Sequence, residues 1–115
     1  MGRIVHVEIV AADHERAGAF YAEVFGWRVT AAPVPDGYLL AATGPGEGID
    51  GAIISDRYQQ QPTIAWIEVD DIDATRNAVQ AAGGSAAGDV QELPGVGRLC
   101  YVRDTEGVLI GLRQG

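Results

Sequence analysis

Ile4-Val5-His6-Val7-Glu8-Ile9-Val10 alternates β-branched and polar residues, and Ile64-Ala65-Trp66-Ile67-Glu68-Val69-Asp70 repeats the pattern about 60 residues later. Both stretches read as strands. Glu8 and Glu68 hold equivalent places in them, and so do His6 and Trp66. Because side chains alternate across a strand, His6 and Glu8 share one sheet face, while Val5, Val7 and Ile9 take the other and should pack on helices.

Each strand leads into a helix signal. Asp13 can cap a helix over about 14–25, with Ala17, Phe20, Tyr21, Val24 and Phe25 at helical spacing and Gly26 as the stop. Asp71 can cap a second helix over about 72–82, with Ile72, Thr75, Ala78, Val79 and Ala82 on one face and Gly83-Gly84 behind it. Short β-like pieces follow each helix: 27–31, 38–43 and 52–55 after the first, 85–87, 98–103 and 108–113 after the second. Each half therefore reads βαβββ, giving an α+β chain. Module one covers about 1–56 and module two about 63–115. The polar Ser55-Asp56-Arg57-Tyr58-Gln59-Gln60-Gln61-Pro62 links them, at about 56–63. Half of 115 residues is too little to bury a sheet face alone, so a single domain over 1–115 is expected.

Composition excludes several classes of function. The 16 acidic and 8 basic residues leave a net charge of −8, which opposes binding to nucleic acid. All the basic residues are Arg, so no lysine is present to form a Schiff base or a P-loop. No apolar run reaches the length of a membrane span, and the start of the chain lacks the apolar core of a signal peptide. The lone Cys100 can form neither an internal disulfide nor a cysteine-based zinc site, so a reducing, cytoplasmic location is expected. Gly46-Glu47-Gly48-Ile49-Asp50-Gly51 matches the dinucleotide pattern, but a β-like stretch rather than a helix follows, so it reads as a hairpin loop. Cys100 alternates with Tyr101 and should face the helices as an inert core thiol.

The segments Val5-His6-Val7-Glu8-Ile9, Asp13-His14-Glu15-Arg16-Ala17-Gly18-Ala19-Phe20-Tyr21 and Val24-Phe25-Gly26-Trp27 resemble the first module of the vicinal oxygen chelate superfamily. That group holds the glyoxalases, bleomycin and fosfomycin resistance proteins and extradiol dioxygenases. Val69-Asp70-Asp71-Ile72-Asp73, Ala81-Ala82-Gly83-Gly84 and Asp104-Thr105-Glu106-Gly107 resemble its second module, the last with Thr where the family turn has Pro. The resemblance implies two βαβββ modules forming an open eight-stranded half-barrel around a pocket. It also implies a homodimer and, in the enzymes, a divalent metal that chelates vicinal oxygens.

The family's metal ligands come from the first and last strand of each module, and they are His, Glu or Gln. His6 fits the first of these places. Trp66 stands at its counterpart, Gly111 at the last-strand place of module two, and the remaining place falls near Ile54. One donor of four is below the three or more that a divalent site needs, so no cofactor is expected. The alternative is a non-standard divalent site of His6, Glu8 and Glu68. The carboxylates would then lie about 6.5 Å along their strands from the family place.

His6 and Glu8 are the candidates for acid–base chemistry. Glu8 and Glu68 either act as paired carboxylates or pair with an Arg such as Arg113 or Arg98. Trp66 either stacks on a flat or cationic ligand or fills the space that a metal would take. Family resemblance turns Tyr101 toward the pocket, and Tyr38 adds an aromatic wall. Arg113 suits an anionic or carbonyl group, or else is a surface charge near the C-terminus. The expected function is metal-independent binding of a small molecule, cationic or aromatic, as in the bleomycin resistance proteins. The alternatives are a glyoxalase-type lyase, isomerase or dioxygenase relative using His6, and a non-catalytic partner-binding domain.

Overall fold

Two aspartates set where the helices begin. The Asp13 carboxylate accepts from the Arg16 N–H at 3.0 Å, and the Asp71 carboxylate accepts from the Ala74 N–H at 3.0 Å. The computed structural model describes residues 2–32 and 36–115. Module one as expected from the sequence thus includes Met1 and 33–35, which lie outside the described residues. The elements are β1 (Arg3–Ala11), α1 (His14–Phe25), β2 (Arg28–Ala31), β3 (Tyr38–Ala42), β4 (Asp50–Ser55), β5 (Thr63–Glu68), α2 (Ile72–Ala81), β6 (Ser85–Leu93), β7 (Gly97–Arg103) and β8 (Leu109–Gln114). The βαβββ order expected twice is present twice, and the class is α+β.

The chain divides into two compact units. One is His6–Thr63, and the other is Ile64–Gly115 with the start of the chain as far as Val5. In the first unit β2 pairs antiparallel with β3, β3 antiparallel with β4, and β4 parallel with β1. Helix α1 lies on one face of this sheet. Its contact residue is Gly18, the buried position of the helix, where a Cβ would press on the Leu39 and Val29 side chains. Gly26 ends the helix with a left-handed φ of 72° and donates its N–H to the Ala22 carbonyl. The linker is tied to β1, since the Val10 N–H donates to the Pro62 carbonyl at 2.8 Å.

In the second unit β5 pairs parallel with β8, β8 antiparallel with β7, and β7 antiparallel with β6. Helix α2 covers one face through Ile72 and Val79, which pack with Val69, Cys100, Val102 and Leu112. Gln114 on β8 accepts the Ile72 N–H at 2.8 Å, which fixes the start of α2 to the sheet. Cys100 is buried in this core, as its alternation with Tyr101 implies. Burial also pushes its thiol pKa up, so it stays protonated.

On α1 the apolar spacing and the sheet contact part company: Phe20, Val24 and Phe25 are exposed, and Gly18 makes the sheet contact. Helical spacing identifies a helix, but the closest approach to a sheet is made by the smallest residue. Strand β6 runs to Leu93, well beyond the expected Ala87, because its ladder with β7 resumes after an irregularity between Ala87 and Gln91. The Gly46–Gly51 motif does lead into a strand, but β4 begins within it, at Asp50.

Ile72 is wholly buried beneath α2. Ile72→Ala should lower the unfolding free energy by about 2–5 kcal/mol, through lost transfer and cavity terms. Urea unfolding of the two proteins tests this, and a loss below about 1 kcal/mol would show that α2 is not anchored there.

Candidate functional site

In each unit the helix takes one face of the sheet and the candidate residues take the other. Val29, Leu39 and, through strand register, Ile53 and Ile9 lie on the α1 side. His6, Glu8, Asp50, Ala52, Ile54 and Tyr38 therefore lie on the helix-free face. In the second unit Cys100, Val102 and Leu112 face α2, so Trp66, Glu68, Gly111, Arg113 and Tyr101 lie on the helix-free face. All seven sequence-predicted site residues are thus on helix-free faces: His6, Glu8 and Tyr38 in one unit, Trp66, Glu68, Tyr101 and Arg113 in the other.

Within the first unit, Glu8 is the most buried residue of β1, at 2% exposure, and His6 is half-buried. The Tyr38 hydroxyl donates to Glu8 Oε2 at 3.2 Å, reaching diagonally from β3 to β1. Burial of the phenol, then the neighbouring Glu8 charge and this hydrogen bond, hold the Tyr38 pKa well above the ordinary tyrosine value. Tyr38 is therefore a neutral hydroxyl donor. The alternative partners considered for Glu8 are engaged elsewhere. Arg98 is bidentate to Asp73 at 3.0 and 3.3 Å, while Arg113 binds Glu68.

The expected Glu68–Arg113 ion pair is present. Arg113 Nη2 and Nε donate to Glu68 Oε1 at 2.9 and 3.2 Å, and the Gly115 N–H donates to Oε2 at 3.2 Å. Both oxygens of Glu68 are held, and Arg113 is a structural partner rather than a loose terminal charge.

Strand register corrects one assignment. Trp66 pairs with Gly111 across β5 and β8, and His6 pairs with Asp50 across β1 and β4. Asp50, not Ile54, is therefore the module-one equivalent of Gly111. The Asp50 carboxylate accepts from the Thr43 N–H at 2.9 Å and the Thr43 hydroxyl at 3.2 Å.

Gly111 has to be glycine. The Trp66 indole atoms Cδ2, Cε2 and Cε3 occupy the space where a Cβ at 111 would stand. Tyr101, across β7 from Gly111, brings its ring centroid to 5.0 Å from that of Trp66, tilted by 60°. Trp66 is 7% exposed, and its buried indole N–H has no hydrogen-bond partner among the described residues.

These residues do not fit a metal held from the first and last strands of the second unit, since neither Trp66 nor Gly111 is a donor and the indole fills the room. Among the described residues, three His, Cys, Asp or Glu donor atoms come within 4.8 Å of one another only at His14, Glu15 and Asp36. That group was not foreseen from the sequence. His14 and Glu15 are on the first turn of α1, whose dipole opposes a cation, and Arg57 stands 3.8 Å from Asp36, which precedes β3.

The comparisons with known proteins agree with this frame. The profile of the glyoxalase/bleomycin resistance protein/dioxygenase superfamily matches residues 3–112. A glyoxylase-like domain-containing protein of Didymella fabae is 34% identical over 92% of this chain and 88% of its own length. A probable lactoylglutathione lyase of Vibrio parahaemolyticus is 33% identical over 98% of this chain and 91% of its own. Among solved structures, the methylmalonyl-CoA epimerase of Mycobacterium tuberculosis has a TM-score of 0.72 at 20% identity, covering 96% of this chain and 86% of that one, a likeness of fold. With the repeated βαβββ units, the capped helices and a profile match over nearly its whole length, the chain belongs to the glyoxalase/bleomycin resistance protein/dioxygenase superfamily.

Proposed function

We propose that this chain is a small-molecule-binding member of its superfamily that works without a resident metal. The helix-free sheet faces, with His6, Glu8 and Tyr38 on one and Trp66, Glu68, Tyr101 and Arg113 on the other, are where organic ligands are taken up. The observation that carries the reading is the seat of the Trp66 indole on Gly111, which removes two donor places at once. The carboxylates here are held by their own neighbours: Glu68 is neutralised by Arg113, and Glu8 accepts a hydrogen bond from the neutral Tyr38 hydroxyl. Hydrogen bonding and aromatic contact, rather than free charge, are the means of recognition left to these faces.

Metal titration tests this directly. Equilibrium dialysis of the purified protein against Ni²⁺, Zn²⁺, Mn²⁺ and Fe²⁺ should leave less than stoichiometric metal at micromolar free concentration. Any weak residue should be removed by His14→Ala. About one ion per chain, lost in His6→Ala and kept in His14→Ala, would overturn the reading.

A second reading is favoured by the probable lactoylglutathione lyase, 33% identical to this chain. In it the chain is a lyase or isomerase in which the half-buried His6 moves a proton. Turnover of a hemithioacetal that disappears in His6→Ala, with ligand binding intact, would establish it over simple binding.

Either reading uses Tyr38 as a neutral donor. Its pKa is raised on folding, so its contribution to stability is intact below about pH 10 and is lost as pH climbs from there toward the folded value. Absorbance at 295 nm should show one of the four tyrosines resisting ionisation, and that fraction should vanish in Tyr38→Phe. A resistant fraction that survives the substitution would assign it to another ring.

The homodimer belongs to the same proposal, supported by the exposed apolar Phe20, Val24 and Phe25 of α1. Sedimentation equilibrium should give twice the 12.1 kDa chain mass, whereas a monomer at 100 μM would exclude it.

A further inference from the structure

Both phenylalanines of the chain, with one of its two tryptophans and one of its four tyrosines, stand in one cluster along the second half of α1 and just beyond it. Phe20, Val24 and Phe25 are each more than half exposed. Tyr21 meets Phe20 edge-on at 5.2 Å and stacks on Trp27 at 5.0 Å, so Phe20 is braced from behind by rings. At about 100° per residue, Phe20 points away from Gly18, the residue of α1 that meets the sheet. Arg16 and Val24 lie about 40° to either side of Phe20, and Glu23 about 60° away on the side of Arg16. Arg16 and Glu23 are both exposed, and neither side chain makes an ion pair among the described residues. About 10 Å apart along the helix, they are too distant to pair with each other. Both also stand against the helix dipole, a cation in the first turn and an anion in the last. Their placement costs α1 a little, so it is accounted for by what they meet outside the helix.

We propose that this outward face of α1 is a two-fold interface for a second copy of the chain. The two α1 helices lie antiparallel, Phe20 packs over the partner's Ala19 and the partner's Phe20, and Arg16 pairs with the partner's Glu23. This rests on the homodimer of the reading above and names its face and its contacts. Arg16 and Glu23 are equally far from the point between Ala19 and Phe20. A two-fold axis through that point sets each guanidinium level with a carboxylate of the other copy, once at each end. A parallel pairing would set Arg16 against the partner's Arg16, so the charges select the antiparallel one. A patch complementary to itself in this way is what an isologous interface requires. The small Ala19 beside the axis lets the helices approach closely. The net charge of −8 opposes an anionic lipid surface as the occupant.

Sedimentation equilibrium in about 150 mM salt reads the outcome, as the dissociation constant of a dimer of the 12.1 kDa chain. Phe20→Glu should weaken the dimer by about a hundredfold, with an unchanged far-UV circular dichroism spectrum because Phe20 faces water in the single chain. Arg16→Glu and Glu23→Arg should each weaken it by about tenfold, since each sets like charges together at both ends of the interface. Neither reversal harms α1, because each brings its charge into line with the dipole. An equal mixture of these two variants should regain wild-type affinity as a heterodimer, in which every guanidinium again meets a carboxylate. A dimer that keeps its affinity in Phe20→Glu, or a mixture no tighter than the separate variants, would overturn this face and leave the homodimer standing. A wild-type monomer at 100 μM would overturn both. If Phe20→Glu does not fold, the mixing experiment decides alone.

Discussion

An indole ring lying on a stretch of backbone that has no side chain is the contact on which the helix-free face of the second unit depends. Trp66 and Gly111 are a single steric solution: the ring needs the missing Cβ, and the missing Cβ would leave a hole without the ring. The rest of that face follows from it. Tyr101 leans toward the indole because the glycine between them supplies no side chain to hold them apart. The next row along the strands, Glu68 with Arg113, closes on itself as an ion pair. A row built this way has aromatic surface, and neither Trp66 nor Gly111 offers a donor to a divalent ion.

The two halves of the chain started from one plan and solved it differently. At equivalent register the first unit has His6 beside Asp50, and the second has Trp66 beside Gly111. Both keep a glutamate two residues further along the first strand. Glu8 is 2% exposed and is met by the phenol of Tyr38; Glu68 is about a third exposed and is met by a guanidinium. The difference is physical. Burial of the phenol, with the Glu8 carboxylate beside it, raises the Tyr38 pKa and keeps it a donor, whereas an ion pair at partial exposure is screened and contributes modestly. The chemically versatile groups are therefore gathered in the first unit, and the shape-determining ones in the second.

Most of the architecture was legible because its signals are local. Asp13 and Asp71 cap within three residues, Gly26 turns where it stands, and strand alternation needs no partner to be seen. The sites that escaped reading depend on distant partners. Asp50 is the partner of His6 only through a parallel ladder, and no local feature marks it. The far part of β6, Gly88-Asp89-Val90-Gln91-Glu92-Leu93, has one β-branched residue among polar ones, and it is a strand because β7 supplies its hydrogen bonds. The stripe on α1 was visible, yet the helix settles on the sheet through Gly18, where only the absence of a side chain allows close approach. The seven candidate residues lie on helix-free faces, and for His6 and Glu8 on β1 that placement follows from a period-2 argument. What each one does there depends on neighbours that the period does not name.

Net charge is a poor guide to such faces. The chain carries 16 carboxylates, but those on the candidate faces are tied down: Glu8 by a hydroxyl, Asp50 by Thr43, Glu68 by Arg113 and a backbone N–H. The charge that sets the field around the molecule is mostly elsewhere. Beside the tied carboxylates stand the neutral phenol of Tyr38 and the rings of Tyr101 and Trp66. On the second unit's face the two places that a first and a last strand offer are taken by Trp66 and Gly111, neither of them a metal donor, because the indole needs the room that the missing Cβ leaves.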